Sequence, residues 1–442
     1  MPRKNALTLS LLLIVAVPIL LLPAGSVSAD EDQRGAVKLL TTVPIPTSLV
    51  PLRAFDISWL DPNSQLYYLG DRSNKSVDVV DAKTNIFLRH ITGGFKGVVF
   101  KAGPGGVGQV ADNDKSGPNG VVVSGHFLFV TDAPSRVVTI DLRTDQIVLG
   151  GDVSTGGTDG NRADELAFDP QDRLLLVVNN ADDPPFASLI KVNADGALTV
   201  NQNECSTSVH PPCRITFKNF GPNKDKTATN GAEQPVWEPK TRRFYISIPE
   251  VNGVTSDGAV AKINPHTGAV EATFPVEFCQ PAGLTVGPNQ DLLLGCSVVF
   301  DTAGNAWDSK NPNSIAAPTQ IIMDANTGTI DASVAGVGGS DEVWFNPGDR
   351  RYYTASRNNP TGPVLGVIDA ESQTLVQIVP TVNTAGNTVT ATRFPAGTAH
   401  SVAVNPHNNH ALVPLPANNV FPNCSNGCIA VFGTSRGDHD ED

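Results

Sequence analysis

The sequence predicts an all-β chain assembled from seven copies of one unit, and three observations support this prediction. A hairpin pattern recurs along the chain, most legibly in residues 162–180, where an acidic start precedes an apolar strand, a tight turn and a second apolar strand. The chain contains 40 glycines and 34 prolines, which lie mostly between the apolar runs, where turns require them. No segment shows a helical period over any length.

Aligning the copies on their turns places one residue of each copy at the same position, at the start of its first strand. These register residues recur about every 57 residues. They are Asp56, Asn119, Asp164, Glu233, Ala282, Asp341 and His400. Each copy continues with further strands, so the repeat predicts a seven-bladed β-propeller with four-stranded blades. An array of β-sandwiches is the alternative, but it does not explain why the same position recurs seven times.

The last copy ends early, after a third strand at residues 428–432. An unassigned strand lies near the N-terminus, at residues 37–43. Pairing these two strands completes the seventh blade and leaves only short, protected sheet edges. We therefore expect the N-terminal strand to close the ring.

Residues 1–29 have the pattern of a secretory signal peptide. Arg3 and Lys4 precede an apolar run, and small residues follow up to Ala29. The domain organisation predicted from the sequence is a signal peptide at 1–29, one propeller domain at 30–432 and an acidic, disordered tail at 433–442. The mature protein is expected to be a monomer that is secreted or periplasmic, with no membrane span after signal cleavage.

Charge and cysteine content narrow the classes of partner. The net charge of −13 disfavours nucleic acid as a partner. The six cysteines fall into three close pairs, which are Cys205 with Cys213, Cys279 with Cys296, and Cys424 with Cys428. In an exported chain these pairs indicate three disulfides, although six cysteines allow fifteen pairings and the sequence cannot choose among them. The alternative is a metal site, but the chain lacks a Cys-x-x-Cys motif.

Propeller geometry sorts the loops onto two faces. The turns between strands one and two, and between strands three and four, are short and share one face, which the sequence marks as structural. The long insertions belong to the other face, at residues 92–118, 179–186, 202–230, 249–258, 297–318, 357–363 and 415–427. Insertions gathered over one face usually form the binding surface, so a small molecule or a protein partner is expected there.

The register residues should form a ring at the mouth of the central channel, on the face with the insertions. Four carboxylates in a narrow mouth repel one another unless a cation neutralises them. The candidate metal ligands are Asp56, Asn119, Asp164, Glu233, Asp341 and His400. This oxygen-rich set predicts a divalent metal, with Ca²⁺ preferred over Zn²⁺. In the alternative interpretation, the same side chains cap the strands around a wet channel.

A second candidate for calcium is the acidic segment from Asp112 to Gly117. Its alternating oxygens and its glycine are typical of the first half of a calcium loop. Position twelve is Val123, where an EF-hand needs a bidentate Glu, so the EF-hand interpretation fails. A weaker calcium loop or a solvated turn remains.

The repeated form resembles the YVTN-type, lactonase-like propellers found in exported bacterial proteins. The resemblance rests on Asp/Asn-Pro turns such as Asp169-Pro170 and Asn346-Pro347, and on strands followed by Asn-Thr-Gly, as at residues 321–328. It covers essentially the whole chain from Val37 to Phe432. The more distant gluconolactonase-like relatives hold a divalent metal through Glu, Asn and Asp at the channel mouth. That resemblance implies that Glu233, Asn119, Asp164 and Asp341 are the metal ligands here, although those relatives usually have six blades.

Two functions remain after these steps. The first is an exported, non-catalytic propeller that binds a small ligand, a divalent metal or a protein partner at the channel mouth and the surrounding long loops. The second is a metal-dependent hydrolase of the lactonase type, in which the metal polarises the carbonyl of a lactone or ester. Asp341 or His400 would then be the catalytic general base.

Overall fold

A computed structural model describes residues 35–307, 316–359, 362–381 and 400–434. The described residues from Ala36 onward form one compact unit. The predicted signal peptide and residues 435–442 of the predicted tail lie outside the described residues, as do parts of two insertions, at 308–315 and 360–361. None of the helices in the described part of the chain has the length and apolar character of a membrane span.

The chain forms seven four-stranded antiparallel sheets arranged as the blades of a propeller, as the sequence predicts. The chain enters through β1 (Lys38–Pro44), which belongs to the last blade. Blade 1 consists of β2 (Ser58–Asp61), β3 (Leu66–Asp71), β4 (Ser76–Asp81) and β5 (Ile86–Thr92). A small hairpin of β6 (Phe100–Ala102) and β7 (Gln109–Ala111) lies in the crossing to blade 2. Blade 2 consists of β8 (Val121–Ser124), β9 (Phe127–Asp132), β10 (Arg136–Asp141) and β11 (Gln146–Ser154).

The remaining blades follow in chain order. Blade 3 consists of β12 (Leu166–Asp169), β13 (Leu174–Asn179), β14 (Phe186–Val192), β15 (Leu198–Thr199) and β16 (Cys213–Thr216). Blade 4 consists of β17 (Pro235–Glu238), β18 (Arg243–Ile248), β19 (Asp257–Ile263) and β20 (Val270–Glu277). Blade 5 consists of β21 (Cys279–Val286), β22 (Asp291–Val299), β23 (Thr319–Asp324) and β24 (Ile330–Ala335). Blade 6 consists of β25 (Val343–Asn346), β26 (Arg351–Ser356), β27 (Val364–Asp369) and β28 (Thr374–Pro380). Blade 7 consists of β29 (Ala403–Asn405), β30 (His410–Leu415), β31 (Cys428–Gly433) and β1.

The ring closes as predicted, because β1 is the outermost strand of blade 7. It pairs antiparallel with β31 from Lys38 opposite Gly433 to Pro44 opposite Cys428, with one irregularity between Leu39 and Thr41. The pairing joins the beginning of the described chain to its end. It also supplies the ladder hydrogen bonds that the last copy of the repeat lacks.

The outermost strand of blade 3 is divided into two pieces. β15 pairs with one end of β14, and β16 pairs with the other end. Between the two pieces the chain makes an excursion closed by the disulfide Cys205–Cys213. This division accounts for the long insertion predicted at 202–230.

The first hairpin of the blades repeats one backbone feature. The residue before the second strand has a positive φ of 53° to 58° in five blades. These residues are Gln65, Arg173, Arg242, Arg350 and Asn409. Such left-handed residues close tight β-hairpins, so the repeat seen in the sequence is also a repeat of backbone conformation.

The hydrophobic core lies between the blades rather than in one central cluster. The described residues contain seven buried apolar clusters, and each one joins two neighbouring blades. Because the middle strands are covered on both sides, β9 and β13 are buried along their whole length. Their nearly continuous apolar runs follow from this two-sided packing. All three predicted disulfides form, and none of the described cysteines is free.

Candidate functional site

The register residues start the innermost strands in a common way. The backbone N–H of Asp56, Asn119, Asp164, Glu233 and Asp341 each donates to a carbonyl of the second strand of its own blade, over 2.7 to 3.0 Å. The shared bond fixes each residue at the same height in the channel. The sequence alignment therefore reproduces a real structural register at these positions.

Five of the six predicted ligand residues meet in one small pocket of about 120 Å³ at the channel mouth. These five are Asp56, Asp164, Glu233, Asp341 and His400. Asn119 is turned aside, because its Nδ2 donates to the carbonyl of Ala163 over 2.7 Å and its Oδ1 accepts from Arg72. The seventh register residue, Ala282, has no polar side chain and does not line the pocket.

Three arginines neutralise the carboxylates of the mouth, and sequence reasoning missed all three. Arg72 follows the second strand of blade 1, Arg357 follows the second strand of blade 6, and Arg162 precedes the first strand of blade 3. Two of these arginines could have been found in the sequence repeat, because Arg72 and Arg357 both lie directly after the second strand of their blades. The carboxylates alone predicted a bound cation, whereas the structure places the protein's own arginines beside them.

Asp56 is the most heavily paired carboxylate. Its Oδ2 accepts from Arg72 Nη2 and lies 3.0 Å from Arg162 Nη1, and its Oδ1 lies 2.7 Å from His400 Nε2. Burial alone would raise the pKa of Asp56, but the two guanidinium groups and His400 hold it well below its usual range. Asp56 is therefore ionised and joins residues of blades 1, 3 and 7.

His400 lies between two carboxylates. Its Nε2 contacts Asp56, and its Nδ1 lies 2.6 Å from Asp341 Oδ2 and 3.0 Å from Arg357 Nη1. Asp56 and Asp341 can only accept hydrogen bonds and therefore favour a proton on each ring nitrogen, whereas the guanidinium of Arg357 can only donate and opposes a proton on Nδ1. Burial would lower the pKa of His400, but Asp341 and Asp56 raise it to about 9. The raised pKa favours the imidazolium form at neutral pH, and each ring nitrogen contacts a carboxylate.

Asp341 and Asp164 have opposite electrostatic environments although both contact an arginine. Burial opposes ionisation of Asp341, but Arg357 and His400 lower its pKa to about 2. Arg162 Nη2 lies 2.7 Å from Asp164 Oδ2. Burial and the nearby charge of Asp56 nevertheless raise the pKa of Asp164 to about 7, against the effect of Arg162.

Three glutamates complete the inner side of the mouth. Burial and the carboxylates of Asp164 and Asp341 raise the pKa of Glu233 to about 8. Burial, together with neighbouring carboxylates, raises the pKa of both Glu165 and Glu342 well above the usual range. These two residues interact with each other although they belong to blades 3 and 6. Burial and the neighbouring carboxylates therefore favour the neutral forms of both acids.

The fit of a divalent metal can be judged from these contacts. The carboxylates of Asp56, Asp164 and Asp341 face arginine or imidazolium groups, and Asn119 points to Arg72. Among the described residues, no group of three or more His, Cys, Asp or Glu is arranged to hold a metal ion. The set does not fit a metal ion in this arrangement, and the Ca²⁺ site stays a prediction.

The acidic segment 112–117 contributes to the mouth through Asn113. Its first residue, Asp112, pairs with Lys101 Nζ over 3.0 Å, and residues Asn113–Lys115 form a short 3-10 turn. Asn113 lines the mouth pocket, and its Oδ1 accepts from Arg72 Nη1 over 3.2 Å. The insertion between blades 1 and 2 thus reaches the channel, as the face assignment predicted.

Comparison with known proteins identifies the fold. No family model and no curated protein matches the chain. Among solved structures, a Kuenenia stuttgartiensis hydrazine synthase matches with 14% identity and a TM-score of 0.58, covering 87% of this chain and 96% of that one. A chain of a mitotic checkpoint complex matches with 11% identity and a TM-score of 0.56, covering 96% and 100%. At such identities the likeness concerns the fold alone, so a seven-bladed propeller is shown and membership of the lactonase-like family is not.

Proposed function

We propose that this protein is an exported, non-catalytic propeller whose channel mouth binds a small organic acid. The observation that carries the proposal is the convergence of Arg72, Arg162, Arg357 and His400 on one end of the channel. The chain as a whole has a charge of −13, so this concentration of positive groups is local. Export is supported by the three disulfides, which are typical of oxidising compartments.

The net charge of the channel mouth favours an anionic ligand. Asp56 and Asp341 are ionised and Asp164, with a pKa of about 7, is about half ionised at pH 7, whereas the raised pKa values of Glu165, Glu233 and Glu342 favour their neutral forms. Three guanidinium groups and one imidazolium therefore exceed the ionised carboxylates. Arg357 is the accessible member, with 40% of its side chain exposed, and can pair with a carboxylate from solvent.

The acid must be small, because the mouth pocket measures about 120 Å³. Asn113 and the neutral acids Glu165 and Glu233 also line this pocket, and they suit hydroxyl groups on the ligand. A hydroxy acid of two to six carbons is therefore the class that we propose. The lactonase-type hydrolase has less support, because both expected bases are already paired: each ring nitrogen of His400 contacts a carboxylate, and Asp341 contacts Arg357.

Binding should be tested by calorimetric titration of the purified protein with lactate, malate and gluconate at pH 6. Arg357→Gln is expected to weaken the binding of the best ligand at least tenfold. The matched control is Arg350→Gln on the same blade, because Arg350 pairs only with the exposed Glu371 at 3.2 Å in the described structure. Absence of binding by all three acids, or equal effects of the two variants, would contradict the proposal.

A further inference from the structure

The other end of the central channel forms a second and larger cavity, which we name the basal chamber. Its volume is about 540 Å³, and its walls come from the innermost strands of blades 1 to 6. Residues of the short turns, including Asn63, Pro170 and Pro239, lie at its rim. The chamber therefore opens on the face that the sequence marked as structural, and its volume is in the range of small-molecule sites.

The walls of the basal chamber are aromatic and aliphatic. Trp59 and Trp344 pack edge to face with ring centroids 5.0 Å apart, and Phe168, Trp237 and Phe345 line further parts of the wall. These five rings are only half-buried, in contrast to the fully covered middle strands of the blades. Transfer of a hydrophobic molecule into this space would cover apolar surface that is now in contact with water.

The chamber is also nearly free of charge. Among the described residues that line it, none is Lys, Arg or His, and the ionisable groups are Asp61 and Glu165. The Asp61 carboxylate is held by its own turn, where it accepts from Ser64 Oγ over 2.6 Å and from Asn63 N over 3.2 Å. Glu165 lines both the chamber and the mouth pocket, so it lies between them. Burial raises its pKa well above the usual range, and the inner end of the chamber is a neutral acid.

The basal chamber also contains polar side chains that can form a hydrogen bond with a ligand. Glu165 as a neutral carboxylic acid can donate or accept a hydrogen bond. Gln234 also lines the chamber, and its Oε1 accepts from Leu284 N over 2.6 Å, which fixes the orientation of the carboxamide. These groups match a hydroxyl or a carbonyl on the ligand, whereas an anionic ligand would meet no positively charged side chain among the described residues that line the chamber.

We infer that the basal chamber binds an uncharged small molecule with an aromatic or alicyclic body and a single hydroxyl or carbonyl group. The apolar body would pack against the rings of Trp59, Trp237 and Trp344, and its polar group would be directed to Glu165. This site is separate from the mouth, since the two pockets have only Ile57 and Glu165 in common.

Intrinsic fluorescence provides a direct test, because three of the four tryptophans line the chamber. The probe is 2-naphthol, which is uncharged at pH 7, and the comparison ligand is 2-naphthoate, which has the same rings and a carboxylate. Val286→Phe inserts a ring into the chamber wall. The matched control is Ile330→Phe, at an exposed position on the outermost strand of the same blade. Thermal unfolding verifies that both variants fold.

We expect saturable quenching by 2-naphthol with one site per chain. Binding should be at least tenfold weaker for Val286→Phe and for 2-naphthoate, and it should be unchanged for Ile330→Phe and for Arg357→Gln at the mouth. Several sites per chain, equal binding of 2-naphthoate, or insensitivity to Val286→Phe would overturn the inference. Sedimentation showing a dimer that Val286→Phe dissociates, without binding of 2-naphthol, would also overturn it and would identify the chamber as an interface.

Discussion

Asp56 is the residue on which the mouth depends most. Replacing it by Asn removes the charge that balances Arg72 and Arg162 in a site where the Asp56 side chain is only 3% exposed. Loss of one partner of a buried ion pair typically costs about 3–5 kcal/mol. We expect Asp56→Asn to lower the free energy of unfolding by an amount in this range, measured by urea denaturation.

The control for Asp56→Asn is Glu371→Gln, which breaks the exposed ion pair with Arg350. Exposed pairs contribute little, so this variant should remain within about 0.5 kcal/mol of the wild-type protein. If Asp56→Asn is equally harmless, the arginines of the mouth do not need their carboxylates and the electrostatic description of the site fails.

The titration of His400 should lower the free energy of unfolding as the pH rises above 6.5. Its pKa is raised from 6.5 to about 9, so its stabilising effect is complete below pH 6.5 and is lost as the pH rises through 9. The pKa values of Asp164 and Glu233 are also raised, to about 7 and about 8. These two groups therefore also make the stability of the fold decrease as the pH rises, up to about pH 7 and pH 8 respectively. Melting temperatures measured from pH 6 to 10 should decline, and His400→Gln should flatten the decline above pH 6.5. An unchanged slope in His400→Gln would show that the imidazolium contributes nothing.

The sequence identified the acidic residues of the site and His400, and it missed the three arginines. Asp56, Asp164, Glu233 and Asp341 share one register position, which a repeat reveals without any structure. Arg162 lies outside that register, and its role depends on the diameter of the channel, which no local pattern encodes. The carboxylates predicted a bound divalent metal, which stays a prediction, and they did not predict the arginines that the structure places beside them.

At the scale of elements, β1 is the strand whose loss should matter most. It pairs with β31, and Val37 also exchanges two hydrogen bonds of 2.9 Å with the Gln377 side chain of blade 6. A chain that begins at Ile45 would leave β31 as an exposed sheet edge. We expect it to accumulate mainly as insoluble protein, whereas a chain that ends at Thr434 should stay soluble. Similar soluble yields of the two truncations would argue against ring closure by β1.

The three disulfides should differ in their effect. Cys279–Cys296 joins β21 to β22 across 17 residues, whereas Cys424–Cys428 spans only 4. In the chain-entropy description the longer loop stabilises more, here by about 1 kcal/mol. Replacing the cysteines pairwise by Ala should therefore lower the urea midpoint more for 279/296 than for 424/428. The reverse order would mean that local packing outweighs loop closure.

At the scale of the whole molecule, the sequence predicted the blade number and the closure because the same pattern occurs seven times, and it predicted the disulfides because the cysteines lie in close pairs. The divided outer strand of blade 3 was not predictable, since β15 and β16 are too short to show alternation. The basal chamber was also missed. Trp59, Trp237 and Trp344 lie on the innermost strands of three blades, and only the assembled ring shows that they surround open space.

The central claim is that the mouth is neutralised by the protein's own cations and receives an organic acid. The most direct measurement is the melting temperature of the wild-type protein, titrated separately with Ca²⁺, with a chelator and with malate at pH 7. A ligand that binds only the folded state raises the melting temperature with its concentration. The account predicts a rise with malate and no response to Ca²⁺ or the chelator. A rise with Ca²⁺ that the chelator reverses, with no effect of malate, would contradict it and would restore the metal site.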